Sequence, residues 1–147
     1  MRVLDPARQE QLLLDTHTLI WHLKGGAELG VGARDAIEDA ARWRGLLVSS
    51  ITAWEIGLLV SKKRIELSKD AMVWVQEALA RPGVTLVGLE PEIAVSSSLL
   101  PFEMHSDPAD RILVATARRL GATLVTADRA LLELAARGHF KARNAMD

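Results

Sequence analysis

Short, wholly apolar runs punctuate this chain, and longer stretches of helical period lie between them. Leu12-Leu13-Leu14 stops on Asp15, Leu46-Leu47-Val48 on Ser49-Ser50, and Thr123-Leu124-Val125-Thr126 on Ala127-Asp128. Apolar runs this short, bounded by polar residues, suit strands buried on both faces, as in a parallel sheet covered by helices. Val84-Thr85-Leu86-Val87, after the breaker Pro82-Gly83, reads the same way. Strands are therefore expected at 11–14, 46–48, 84–87 and 123–126.

Between them the pattern predicts helices. The first runs from about Thr16 to Leu23 and stops at Gly25-Gly26, and the second from about Gly32 to Arg44, with Ala36, Ile37, Ala40, Ala41 and Trp43 as its apolar set and Gly45 closing it. Ser49-Ser50-Ile51-Thr52 leads into a helix carrying Trp54, Ile56, Leu58, Leu59 and Val60, which ends at the basic run Lys62-Lys63-Arg64. Ser68 reads as the cap of a helix through Arg81, and Glu90 to Leu99 as a short one. Pro101 opens a loop through Ser106. Asp107-Pro108 starts a helix to Gly121, with proline at its preferred first position, and a last helix runs from Asp128 to about Arg137.

Short strands alternating with helices imply an α/β fold with a parallel sheet and right-handed crossovers. Residues 1–10 are polar and unpatterned and read as a lead-in; 11–147 read as one domain without repeats or linkers. The tail after Gly138 carries no valine-rich run, so the pattern supports four strands and leaves a fifth open.

Composition narrows the class. At 147 residues the chain can bury a real core without staples. It has no cysteine, which excludes disulfides, thiolate metal sites and cysteine nucleophiles, and fits a reducing cytoplasm. No window approaches the roughly 20 apolar residues of a membrane span, and no signal-peptide core precedes Asp5. The expected location is cytoplasmic. A net charge of −1 provides no global basic footprint, so any nucleic-acid role needs a local patch or a bound metal.

Asp15, Glu55, Asp110 and Asp128 each fall at a cap or in the first turn of an expected helix. Singly, each has an ordinary explanation. Asp15 and Asp128 can cap; Thr52-x-x-Glu55 is a capping-box pattern; Asp110 after Asp107-Pro108 favours the macrodipole by about 0.3–1 kcal/mol. Together they read differently. Helices that follow parallel strands all begin at one sheet edge, where open α/β sheets bind ligands, so Asp15, Glu55 and Asp128 are brought towards one crevice. Asp110 follows a loop, and its place there is inferred from the return strand 123–126. Carboxylates so gathered repel. A divalent cation neutralises them, and all-oxygen ligands with no cysteine favour Mg²⁺ or Mn²⁺ over zinc. Such a metal can activate water for in-line attack on a phosphodiester. Thr16, Ser50 and Thr126 place hydroxyls beside the acids, suited to orienting a carboxylate or to capping.

Four motifs then resemble one family. Leu13-Leu14-Asp15-Thr16-His17; Ser50-x-Thr52-x-Trp54-Glu55-Ile56 with the basic run after it; His105-x-Asp107-Pro108-Ala109-Asp110-Arg111-Ile112-Leu113; and Leu124-Val125-Thr126-Ala127-Asp128 resemble the PIN domain, and within it the VapC-like ribonuclease toxins of bacterial VapBC toxin–antitoxin pairs. The resemblance covers about Leu12 to Arg137. It implies a three-layer α/β/α sandwich with a central parallel sheet of four or five strands, and Mg²⁺- or Mn²⁺-dependent endoribonuclease activity on RNA such as tRNA or rRNA. It places catalytic acids at Asp15, Glu55, Asp110 and Asp128, with Asp15, Asp110 and Asp128 as metal ligands and Asp107 in support. It also implies a homodimer and a cognate antitoxin in a hetero-oligomer.

The remaining candidates have two readings each. Lys62, Lys63 and Arg64 either contact RNA phosphates or complement a helix C-terminus. Arg111 either holds a carboxylate or substrate or makes a surface ion pair. His17 and His105 flank acids, but hydrolysis by metal-bound water needs no histidine base. Trp21, Trp43, Trp54 and Trp74 suit core or interface packing. Two other functions compete. A receiver-like signalling domain needs an acid pair after the first strand and a late lysine, which this chain lacks. A non-catalytic binding module of the same fold has no need to keep four like charges in one crevice.

Overall fold

The structure is a computed structural model and describes residues 10–147. The lead-in read at residues 1–10 thus lies, except for Glu10, outside the described residues. The elements follow as β1 (Leu12–Leu14), α1 (Thr16–Lys24), α2 (Val31–Ala41), β2 (Leu46–Ser49), α3 (Ser50–Ser61), α4 (Ala71–Leu79), β3 (Val84–Val87), α5 (Pro91–Ser98), α6 (Pro108–Leu120), β4 (Thr123–Thr126), α7 (Arg129–Ala136) and β5 (Lys141–Asn144).

The strands form one sheet in the order β3-β2-β1-β4-β5, with every neighbouring pair parallel. Side chains alternate across a strand, so Leu12, Leu14, Leu46, Val48 and Val125 enter one core layer, while Leu13, Leu47 and Leu124 enter the other. Leu19 of α1, Ile37 of α2, Ile56 of α3 and Val75 of α4 cover the first layer. Leu113 and Val114 of α6 and Leu131 and Leu134 of α7 cover the second. The expected three-layer α/β/α sandwich is present, and the unbroken apolar runs are explained by burial from both sides. Leu13 is 0% exposed. Leu13→Ala is expected to cost about 2–5 kcal/mol in urea unfolding, because a packed layer closes poorly over the lost methyls.

The topology sets where a site can form. From β1 the chain steps outward to β2 and β3, then returns to the other side of β1 for β4 and β5. The order reverses between β1 and β4, and the crevice beyond their C-terminal ends is the usual ligand position in such sheets. Asp15 ends β1, and Asp128 follows β4 by two residues.

Several boundaries differ from the sequence pattern. The fifth strand forms, pairing Lys141 to Asn144 with Thr123 to Thr126. As an edge strand it buries little, so it carries no apolar run. Helix α2 ends at Ala41 instead of Arg44; Arg44 takes a positive φ of 66° and Trp43 lies in the turn, its ring so close to Gly45 that a Cβ there would meet it at 2.4 Å. Helix α4 starts at Ala71, capped by Asp70, whose carboxylate accepts the Met72 N–H at 3.1 Å; Ser68 is not its cap. Trp54, grouped with packing residues, is 51% exposed. No helix among the described residues is long and apolar enough to cross a membrane.

Candidate active site

Asp15, Thr16, His17, Trp21, Glu55, Asp107, Asp110, Ala127 and Asp128 line one cleft of about 290 Å³ at the switch point. All four acids singled out in the sequence are in it, joined by Asp107. No Lys or Arg is among the described residues that line it. A larger cleft of about 890 Å³ opens near the starts of β4 and β5, and of the acids only Glu10 lines it.

Each acid reaches the cleft by local chemistry. Asp15 is the N-cap of α1: Thr18 N–H donates to its Oδ1 at 2.9 Å, and Thr126 Oγ1 donates to its Oδ2 at 2.6 Å. Thr126 Oγ1 also accepts the Asp128 N–H at 3.1 Å, so one buried hydroxyl joins the ends of β1 and β4. Asp128 caps α7, accepting the Leu131 N–H at 3.1 Å. Asp107 caps α6, accepting the Asp110 N–H at 3.0 Å, which sets Asp110 in the first turn.

Glu55 arrives differently from the capping-box reading. Ser49 caps α3, its Oγ accepting the Ile51 N–H at 3.2 Å, so Thr52 lies inside the helix and Glu55 in its second turn. Glu55 accepts a hydrogen bond from Thr16 Oγ1, which ties α3 to α1 across the cleft. The buried Thr52 hydroxyl has no partner among the described residues. Ser50, expected beside the acids, does not line the cleft.

Capping leaves the carboxylates capable of more, since each oxygen has two acceptor positions. Their shared charge is visible at Asp110, whose carboxyl is pushed from an ordinary 3.8 up to about 7, first by burial and then by Asp107, Asp128, Glu55 and Asp15. No three Asp, Glu or His among the described residues form a ready-made metal site. The acids share a cleft without closing on one point.

Thr126 offers a local test. Thr126→Val keeps the shape but strands the Asp128 N–H and removes a donor from Asp15. A loss of about 1–3 kcal/mol in chemical unfolding is expected, and an unchanged midpoint would show that the hydroxyl bridge adds nothing.

Other candidates sort clearly. Arg111 makes no carboxylate pair among the described residues. Its Nε donates to Ser97 O at 2.9 Å, and its Nη1 to Met104 O at 3.3 Å and His105 O at 3.4 Å. Neither the neighbouring carboxylate nor the surface ion pair considered for Arg111 is among these partners. His105 Nε2 lies 3.3 Å from Asp110 Oδ2, and its Nδ1 accepts the Asp107 N–H at 3.3 Å. His17 lies against Trp21, the rings tilted at 56° with centroids 6.3 Å apart. Trp21 lines the cleft, which its place in an apolar helix pattern did not single out. Lys62, Lys63 and Arg64 are exposed beyond the end of α3 and do not line the cleft.

The PIN domain family profile matches residues 12–137. The chain belongs to the PIN domain family. This PIN domain is 36% identical over 120 residues to Ribonuclease VapC22 of Mycobacterium tuberculosis, an alignment covering 82% of this chain and 88% of that protein. Its fold is shared with VapBC2 from Rickettsia felis, solved with a DNA fragment from its promoter (TM-score 0.66, 17% identity, 90% of this chain and 97% of that one). DNA-bound VapBC from Salmonella typhimurium (TM-score 0.65, 16% identity) and FitAcB from Neisseria gonorrhoeae (0.62, 19%) are also similar, each over 91% of this chain and 97% of theirs. At these identities the structural likeness is one of fold.

Proposed function

We propose that this PIN domain, residues 11–147, is a divalent-metal-dependent endoribonuclease, the toxin of a toxin–antitoxin pair, hydrolysing RNA phosphodiesters at Asp15, Glu55, Asp110 and Asp128. The observation that carries this reading is the gathering of these acids, with Asp107, in one cleft lined by no described cation. The relationship to a ribonuclease, and the fold shared with toxin–antitoxin proteins, support the substrate and the partner.

The donor set fits a hard cation. Carboxylate oxygens alone suit Mg²⁺ or Mn²⁺ and disfavour zinc in the absence of thiolates, and the burial of Asp110 among four like charges gives the metal-free cleft a reason to take one up. Asp15, Asp110 and Asp128 would hold it. A bound cation of this kind supplies charge neutralisation at the phosphate and a more acidic water. Within the cleft, Glu55 is positioned by Thr16 to accept a proton or a water hydrogen bond, and Thr126 keeps Asp15 Oδ2 oriented. A cognate antitoxin is the partner that holds the activity in check, in a hetero-oligomer built on a toxin homodimer, and the work place is the cytoplasm.

The ends of cleaved RNA test the chemistry. Attack by water leaves no 2′,3′-cyclic phosphate, whereas attack by the neighbouring ribose 2′-hydroxyl does. Fragments from purified, partner-free protein are expected to lack cyclic phosphate ends. Cyclic ends in chelator-treated reactions would overturn the metal-hydrolase reading.

A further inference from the structure

The loop between α5 and α6 has no regular structure, yet its last residue, Asp107, lines the cleft. Arg111, immediately after Asp110 in α6, turns back onto this loop. Its Nε takes the carbonyl of Ser97, a buried residue near the end of α5, and its Nη1 spans the carbonyls of Met104 and His105. One planar guanidinium thus joins α5, the loop and α6, with donors in a rigid fork that an ammonium does not reproduce. The same loop presents His105. Its Nδ1 accepts the Asp107 N–H at 3.3 Å, which turns its Nε2 towards Asp110, 3.3 Å from Oδ2. Asp107 in turn accepts the Asp110 N–H.

These contacts close a ring: Arg111 to the loop carbonyls, the loop to the His105 imidazole, the imidazole across 3.3 Å to the Asp110 carboxylate, and Asp110 back to Arg111 along the helix. We infer that Arg111 and His105 are positioning residues for Asp110, with Arg111 pinning the loop and His105 holding Oδ2 so that Oδ1 is directed to a ligand. The inference rests on the proposed metal-dependent reading and adds to it. Neither residue is asked to touch the substrate. A side chain that orients a ligating carboxylate commonly changes metal affinity or activity about 10–100-fold when removed.

The geometry separates this role from simple loop bracing. Bracing alone makes Arg111 matter and His105 dispensable, because His105 adds no contact to the loop beyond its own segment. Positioning makes both matter, and makes a donor at the Nε2 place sufficient.

The test is Mn²⁺ binding by calorimetry to full-length, RNA-free protein, with folding checked by circular dichroism and kcat and KM measured on one RNA. His105→Ala and Arg111→Lys are each expected to weaken Mn²⁺ about 10-fold or more and to lower kcat with little change in KM. His105→Gln, whose amide reaches the Nε2 place, is expected to recover affinity to within about 3-fold of wild type. In Arg111→Lys, amide exchange across residues 99–107 should rise; in His105→Ala it should not. Wild-type Mn²⁺ affinity and kcat in folded His105→Ala would overturn the positioning role while leaving the nuclease reading intact. Failure of the wild-type protein itself to bind Mn²⁺ would overturn that reading and this inference with it.

Discussion

Asp15→Asn is expected to lower RNA cleavage by about 10³-fold or more, a loss of about 4 kcal/mol of transition-state stabilisation, while leaving the protein folded. Asparagine separates the two roles of this residue. Its side-chain oxygen can still accept the Thr18 N–H that caps α1, but it is neutral and a far poorer partner for a hard cation. The same loss is expected of Asp110→Asn, where the N-cap of α6 is Asp107 and is untouched. If the acids were only caps, Asp15→Asn would keep wild-type activity and Asp110→Asn would be silent. Rates from single-turnover cleavage of one labelled RNA decide between them.

Asp110 also makes the metal-free protein less stable than it would otherwise be, and with a definite sign. Its carboxyl binds a proton up to about pH 7 when folded and only to about 3.8 when unfolded. The folded state therefore holds the extra proton between these values, and stability falls as pH rises through that window and levels off above it. Three pK units correspond nominally to about 4 kcal/mol. The side chain is 21% exposed, and screening reduces this to roughly 2 kcal/mol. Asp110→Asn is expected to raise the metal-free Tm at pH 8 by about 4–8 °C and to flatten the difference between pH 5 and pH 8. Saturating Mn²⁺ should stabilise the wild type at pH 8 far more than the variant. Identical Tm profiles for the two proteins in chelator would contradict the electrostatic account of the cleft.

How much of this was legible in the sequence depended on burial. β1 and β4 were plain because both faces of the central strands are covered, which demands unbroken apolar runs, and each ends beside an acid. β5 was not, because an edge strand with Lys141 and Arg143 exposed carries no such demand. Caps were ambiguous wherever two competent residues lie close together. Ser49 displaced Thr52 at α3, and Asp70 displaced Ser68 at α4, each choice settled by where the backbone turns into the helix. That shift moved Glu55 from a capping partner to a cross-helix acceptor for Thr16. The two readings of Arg111, a contact to a carboxylate or substrate and a surface ion pair, did not include its actual partners, because a long side chain can swing either way and carbonyls in a loop leave no mark in the residue types. The acids needed no such detail. Parallel topology brings the helix starts after β1, β2 and β4 to one edge, which places Asp15, Glu55 and Asp128 near one cleft, and the return strand β4 brings the start of α6 with Asp110 to it.

The central claim is that this acidic cleft cleaves RNA through a divalent metal, and the most direct measurement is cleavage of a labelled total-RNA pool by folded, antitoxin-free protein. Reactions with Mg²⁺, with Mn²⁺ and with chelator are run beside Asp15→Asn and Asp110→Asn. Discrete fragments that require either metal and vanish in chelator and in both variants are the predicted result. No cleavage with either metal, or cleavage that survives chelation and both substitutions, would contradict the account and leave the acids as helix caps around a binding surface.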